Sequence, residues 1–525
     1  MPSSPLSSSP RAGVARLLPW VALLAASTFL LALAMRLGGG VAGTDQFWYA
    51  GDLLMTAETG RVVSNHVYPL FAATAPPGTL PPRMHDTPVT HLASWVFGLF
   101  GGGDPGAAWI AVDLALVVAA AVIVVLTSRI VGGSGGWGAA AFLLFPTTTW
   151  AVLSPVAEAS LAFGVAVLVG AVVAAERSGR AEWWLVSGVT AGMLVWSRSN
   201  FVLLLLAWFL WLGWAWRGRR VSARVAGASA LVAVGIAVGH AALTEPYPNA
   251  GLAATLMVGA KGASSNMDFY FVPVAFDAGA FAEKLTRGVW RALTPRTPTE
   301  LSAVLPVVVA CVAGFVALGR RAGRDPARSA LVFFGAALLV TYVATCGLFQ
   351  PQTRYLYAAA PVAAMLLDVA VSRVWRVRRG RLLLRTLVAA ASALVVVAGV
   401  TRATTVADTL RVANARAAAD TQQLRAALEP TLATGGPVMA LAPGNASDIA
   451  VAYSALPHPV ISVDPKLLAP AEAARLAREW RVTSVVGRPA DAAYVGSAFP
   501  SATPLPTARS RVIWAVTASA VRRSG

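Results

Sequence analysis

The sequence predicts a mainly α, polytopic membrane protein with about eleven transmembrane helices and a small C-terminal extracytoplasmic α/β domain. Three observations carry this. The chain of 525 residues is 57% hydrophobic and only 13% charged, with a mean hydropathy of +0.65. Apolar runs of about 17–25 residues recur along it, and about 20 residues cross a bilayer core. The basic residues collect in the gaps between those runs.

Arginine placement orders the elements, because cytoplasmic loops keep the basic residues. Arg11 and Arg16 precede the first run and set the N-terminus inside. Later basic gaps hold Arg129, Arg177 with Arg180, Arg217 to Arg224, Arg320 to Arg328 and Arg373 to Arg385. The expected spans lie near 17–36, 107–128, 136–153, 156–175, 181–197, 199–216, 223–243, 301–319, 329–349, 355–372 and 384–401. Residues 181–216 are almost continuously apolar with basic groups at both ends. One helix there would be about 50 Å long against a core of about 30 Å. A hairpin turning near Trp196-Ser197-Arg198-Ser199-Asn200 resolves this and lifts Arg198 to the outer interface, where an arginine avoids a cost of about 2.5–3.5 kcal/mol. His85 to Phe100 is apolar but short, and reads as a helix lying in the outer interface.

Residues 1–401 form the expected membrane domain, with outer loops at 38–105 and 244–300, and 402–525 the expected outer domain. In that tail the pattern predicts helices over Asp408–Glu429 and Pro470–Trp480, and strands over Val438–Leu441, Val460–Val463, Val482–Val486 and Val512–Val516.

Composition also excludes function classes. The formal charge of +18 is nearly all arginine, since Lys261, Lys284 and Lys466 are the lysines. Its position between apolar runs reads as topology, with no nucleic-acid partner. Cys311 and Cys346 both sit in apolar runs and suggest neither a disulfide framework nor a thiol metal site. No internal repeat, phosphate-binding loop or dinucleotide fingerprint is present, which argues against an ATP-driven pump.

Four charged residues fall at the outer ends of spans. Asp45, in GTDQFWYAGD, follows the first span and is accompanied by Phe47, Trp48 and Tyr49. Glu158 follows FPTTTWAVLSPVA, Arg198 sits in the hairpin turn, and Arg354 opens the tenth span in QPQTRYLYAAAP. Ionisable groups at membrane depth are costly and usually functional. A carboxylate can accept a proton from an acceptor hydroxyl, and guanidinium groups bind phosphate in bidentate fashion. The plain alternatives are a helix cap for Asp45, an interfacial position for Glu158, snorkelling for Arg198 and a structural pair for Arg354. His66, His85 and His91 share the first outer loop, but His85 and His91 lack a strong ligand spacing. Asp52 and Asp86 read as loop or helix-cap acids.

These residues resemble the GT-C glycosyltransferase superfamily, in particular the branch of the protein O-mannosyltransferases and lipid A aminoarabinose transferases. GTDQFWYAGDLLMTAETGRVV is similar to the family's first-loop acidic motif and the interfacial helix after it. PPRMHDTPVTHLASWVFGLFG is similar to its second interfacial helix, SGVTAGMLVWSRSNFVLLLL to its glycine-bearing span with a following basic residue, and QTRYLYAAAPVAAMLL to its outer-end Arg-Tyr motif. The resemblance implies inverting transfer of a sugar from a polyprenyl-phosphate donor to a glycan, lipid or protein acceptor on the outer face of a bacterial cytoplasmic membrane. By it, Asp45 is the catalytic base, Glu158 takes the second acidic position, and Arg198 and Arg354 hold the lipid phosphate. Tyr49, His85, Asn200 and Tyr355 become candidate substrate contacts. No cofactor is evident and a divalent metal is not indicated, because Gln46 stands where the family often has a second acid. The arginine- and alanine-rich composition of a high-GC bacterium makes mannose or arabinose the natural donor sugar. A transporter or flippase of a lipid-linked glycan, and a silent envelope scaffold, are the competing readings.

Overall fold

The computed structural model describes residues 10–37, 44–61, 63–67, 69–73, 75–81, 87–99, 101–154, 158–244, 276–348, 352–376, 382–433, 436–441, 458–505 and 512–516. Each of the eleven expected apolar runs is helical. The first is α1 (Pro10–Leu37). Two helices of the first outer segment follow, α2 (Thr44–Thr59) and α3 (Thr87–Leu99). On α3, Trp95 and Leu99 stay exposed, which suits a helix lying at an interface.

Helix α4 (Pro105–Ile130) starts at Asp104, whose carboxylate accepts from the Gly106 amide at 2.6 Å, with Pro105 in the first helical position. The next span is broken. Helices α5 (Gly136–Leu144) and α6 (Pro146–Leu153) meet at 60°. Pro146 has no amide to donate and holds Phe145 extended, at φ −56° and ψ 132°. The start of α5 is fixed by Asp368, a fully buried acid that accepts from Ser134 Oγ at 2.6 Å, Gly135 N at 2.9 Å and Gly138 N at 3.1 Å.

Then come α7 (Glu158–Ser178), the hairpin pair α8 (Ala181–Ser197) and α9 (Val202–Arg217), and α10 (Ala223–Thr244). The amphipathic α11 (Ala278–Leu293) precedes α12 (Pro298–Leu318), which begins with a Thr297–Glu300 capping box. Helix α13 (Pro326–Leu348) leads to a 3-10 turn, Thr353–Ala359, and the central helix α14 (Ala360–Arg376). Among the described residues, seven helices are long and apolar enough to cross a membrane, or eight with the bent pair as one span. The eleven-span reading needs α8, α9 and α10 to cross as well. Leu231 and Val238 on α10 are exposed, as lipid-facing residues are.

The last span differs from expectation. Helix α15 (Leu382–Leu432) runs unbroken for 51 residues, about 75 Å, so the apolar run 384–401 and the polar helix 408–429 are one rod. Residue 402 lies inside it.

A six-stranded sheet runs in the order β1-β3-β2-β4-β6-β5. Its strands are β1 (His66–Val67), β2 (Val438–Leu441), β3 (Val460–Val463), β4 (Ser484–Gly487), β5 (Thr503–Leu505) and β6 (Val512–Ala515). The first four lie parallel, and β6 and β5 are antiparallel. Strands β2, β3 and β4 are buried throughout, which suits their largely apolar residues, with Ser462 and Ser484 as the polar ones. Helix α16 (Pro470–Trp480) packs Leu476 and Trp480 beneath them.

Strand β1 comes from the first outer segment, almost four hundred residues before its neighbour. His66 pairs with Val460 and Val67 with Ile461, while Phe71 and Ala72 join the core of the sheet. Trp480 Nε1 donates to the Ala72 carbonyl at 3.0 Å.

Candidate active site

Glu158 begins α7, where a carboxylate complements the positive end of the helix dipole. Its side chain is 2% exposed. Arg198 sits at the hairpin turn, extended at φ −151° and ψ 122°, because α8 ends there and the 3-10 turn Ser199–Phe201 redirects the chain. Its Nη2 donates to Glu158 Oε1 at 3.2 Å. Arg354, in the turn before α14, brings its Nε to 3.8 Å from the same oxygen. Three formal charges from three distant segments thus meet at one point. They sum to one positive charge, with both guanidinium groups partly accessible.

The surrounding residues brace this cluster. Asn200 is buried and its Nδ2 donates to Thr345 Oγ1 at 3.4 Å, tying the hairpin to the end of α13. Tyr355 is half-buried, with its ring centre 5.9 Å from Arg354 Cζ. Cys346 Sγ contacts the Gln352 carbonyl at 3.9 Å. Helix α11 closes on this end of α13: Gly288 lies against the Cys346 carbonyl so tightly that a Cβ would overlap it. One turn earlier Lys284 is buried, and burial pushes its ammonium down to about 8.

The Asp45 side chain and all of His85 lie outside the described residues; the backbone of Asp45 occupies the first turn of α2. The next turn carries Tyr49, buried with its ring 5.2 Å from Trp109 in an edge-to-face contact, while Trp109 Nε1 donates to the Tyr49 carbonyl at 3.1 Å. Trp150 of α6 packs against this Tyr49–Leu53–Trp109 cluster and lies 5.1 Å from the Tyr357 ring, three residues beyond Arg354. Trp150 therefore joins the cluster that holds Tyr49 and Leu53 of α2 to the segment of Arg354.

Asp52 corrects a sequence expectation. It is neither a loop acid nor a cap, but lies within α2 at 5% exposure and accepts from Ser64 Oγ at 2.7 Å. Ser64 in turn accepts from the His66 amide at 3.2 Å, at the start of β1. The spacing Asp45, Tyr49, Asp52, Thr56 puts all four on one face of α2, which was the readable signal. The histidines separate: His66 lies in the sheet and His91 on the exposed side of α3.

No protein-family model matches the sequence, and no curated protein matches it significantly. Solved structures do match. ArnT from Cupriavidus metallidurans superposes with a TM-score of 0.57 at 14% identity, covering 95% of this chain and 98% of that one. The chain has the GT-C fold. The oligosaccharyltransferase of Archaeoglobus fulgidus gives a TM-score of 0.55 at 14% identity, covering 90% of this chain and 70% of that one. Mycobacterial arabinofuranosyltransferase AftD gives 0.53 at 15% identity, covering 94% of this chain and 40% of that one.

Within the GT-C fold of this chain, Glu158, Arg198, Arg354, Asn200 and Tyr355 gather where α7 and α14 begin and α8 and α13 end. Tyr49 stands on the neighbouring wall formed by α2, α4 and α6. Trp150, Tyr357 and Lys284 join them without having been singled out in the sequence. Tryptophan and tyrosine are common at membrane interfaces, so composition alone gave these no distinction.

Proposed function

We propose that the chain is an integral membrane glycosyltransferase that moves a sugar from a polyprenyl phosphate to an acceptor hydroxyl at the outer face of a bacterial cytoplasmic membrane. The carrying observation is the Arg198–Glu158–Arg354 cluster, with contacts of 3.2 Å and 3.8 Å at the outer end of an apolar bundle. A glycosyl phosphodiester bears one negative charge, matching the one net positive charge of the cluster. As the sugar departs, the phosphate gains a second charge, which the two guanidinium groups stabilise in the transition state. ArnT, of the same fold, has been solved with undecaprenyl phosphate bound, covering 95% of this chain.

Asp45 takes the proton of the acceptor hydroxyl. The freed oxygen attacks the anomeric carbon from the side opposite the phosphate. The bond between that carbon and the phosphate oxygen breaks, and its electron pair leaves with the polyprenyl phosphate. Glu158 supports the arginines rather than acting as a second base, since its Oε1 serves both of them. Mannose and arabinose are the donor sugars we favour, with an envelope glycan, lipid or protein as acceptor. Helix α11 covers the site on the side of α13.

Incubating the purified protein with radiolabelled polyprenyl-phosphate mannose and arabinose tests this reading. Release of polyprenyl phosphate coupled to acceptor labelling supports it. Binding of these lipids with no transfer to any envelope fraction, by protein that moves them across vesicles instead, refutes it.

A further inference from the structure

We infer that the α6 face made by Thr147, Trp150 and Ser154 is the subsite for the donor's sugar ring, with the Trp150 indole as its stacking platform. This rests on the transferase reading above and adds the residues that recognise the sugar. Helix α6 is enclosed by α1, α4, α14's leading turn and α15. Seven of its eight residues are buried, and Trp150 alone keeps exposed surface. A half-open tryptophan inside a ring of helices borders an internal space rather than lipid.

The neighbours of the indole place it in the fold. Trp150 packs against the cluster that holds Tyr49, Leu53 and Trp109, against the Leu33–Ile110–Val406 cluster, and against Tyr357, three residues from Arg354. In the proposed reaction the sugar must lie between the general base and the phosphate. Trp150 stands between the elements that carry them. The C–H face of a sugar ring is weakly positive and apolar, and complements the negative π face of an indole.

Spacings of three and four residues put Thr147 and Ser154 on the same face as Trp150. Both hydroxyls are buried and find no hydrogen-bond partner among the described residues. Off that face, Thr149 donates to the Pro146 carbonyl at 3.1 Å, while Thr148 is likewise buried without a partner among the described residues. Buried hydroxyls normally have partners, and sugar hydroxyls supply both donors and acceptors. The occupant is therefore a sugar rather than the isoprenoid tail, which offers neither.

The test compares two lipids on the full-length protein: sugar-free polyprenyl phosphate, and polyprenyl phosphate carrying mannose or arabinose. Trp150→Leu is expected to weaken binding of the glycosylated donor about five- to tenfold, the range of one lost aromatic contact. Trp150→Phe should lose about twofold or less, and both variants should bind the sugar-free lipid like wild type. Equal weakening for both lipids, or undiminished binding of the glycosylated donor, overturns the assignment. If Trp150→Leu does not fold, Ser154→Ala is read in the same way, with about threefold loss expected for the glycosylated donor alone. Wild-type protein that binds neither lipid would instead remove the transferase reading itself.

Discussion

Arg198 donates from its Nη2 to Glu158 Oε1 at 3.2 Å, across forty residues of chain, and this contact closes the outer end of the α7–α8 pair. Arg354 approaches the same oxygen at 3.8 Å. A carboxylate at 2% exposure is stable there because two cations flank it, and the cations are held near each other because they share it. Glu158→Gln keeps the shape and removes the charge. It should lower stability by about 2–3 kcal/mol, because two half-buried guanidinium groups lose their counter-ion. Thermal melting in detergent reads this, and Glu158→Asp should fall between wild type and Glu158→Gln.

The arginines should separate from the base in kinetics. Arg198→Gln or Arg354→Gln should reduce affinity for sugar-free polyprenyl phosphate about tenfold or more, as expected for loss of a charge-assisted phosphate contact. Lysine at either position should recover only part of it, since an ammonium cannot form the planar double contact. Equilibrium binding of the labelled lipid measures both effects. Unchanged affinity in both glutamine variants would remove these residues from the phosphate site.

The sheet should be acid-sensitive through His66. Burial pushes its imidazole from 6.5 down to about 3. Between those values the unfolded chain binds a proton that the folded chain does not, so stability is complete above about 6.5 and falls as pH drops toward 3. The slope is up to about 1.4 kcal/mol per pH unit. Melting of the sheet at pH 7.5 and pH 5 should show this loss in wild type and a shallower one in His66→Gln. Identical pH dependence in the two proteins would contradict it.

Asp52 links that sheet to the helix of Asp45. Asp52→Ala leaves the Ser64 hydroxyl without its 2.7 Å acceptor and should cost about 1–3 kcal/mol. Turnover should fall more than donor affinity, because the arginine cluster is untouched. A KM change without a kcat change would argue that α2 is positioned by other contacts.

How much was legible follows from physics at particular residues. Apolar length revealed the apolar helical runs but not the amphipathic α11, and the arginine conflict at 181–216 revealed the hairpin that places Arg198. The strands Val438–Leu441 and Val460–Val463 were readable to the residue because burial leaves short apolar runs, and the helix Pro470–Trp480 because its apolar residues recur at helical spacing behind Pro470. The break at Pro146 was hidden inside an otherwise continuous apolar stretch. Strand β1 is two residues long, and its partner Val460 is remote, so no local pattern could announce it. The rod α15 read as two helices because its composition changes from apolar to polar midway while its backbone does not. At the site, the charges stood out against an apolar background, whereas Trp150 and Tyr357 became distinctive only when the fold set them 5.1 Å apart.

The most direct measurement is sugar transfer by purified Asp45→Asn protein, with polyprenyl-phosphate binding followed in the same preparation. Loss of a general base should reduce turnover about 10²–10⁴-fold, while affinity for the sugar-free lipid stays within about twofold of wild type because Arg198, Glu158 and Arg354 remain in place. Full sugar transfer by Asp45→Asn would show that the α2 carboxylate takes no part in the chemistry.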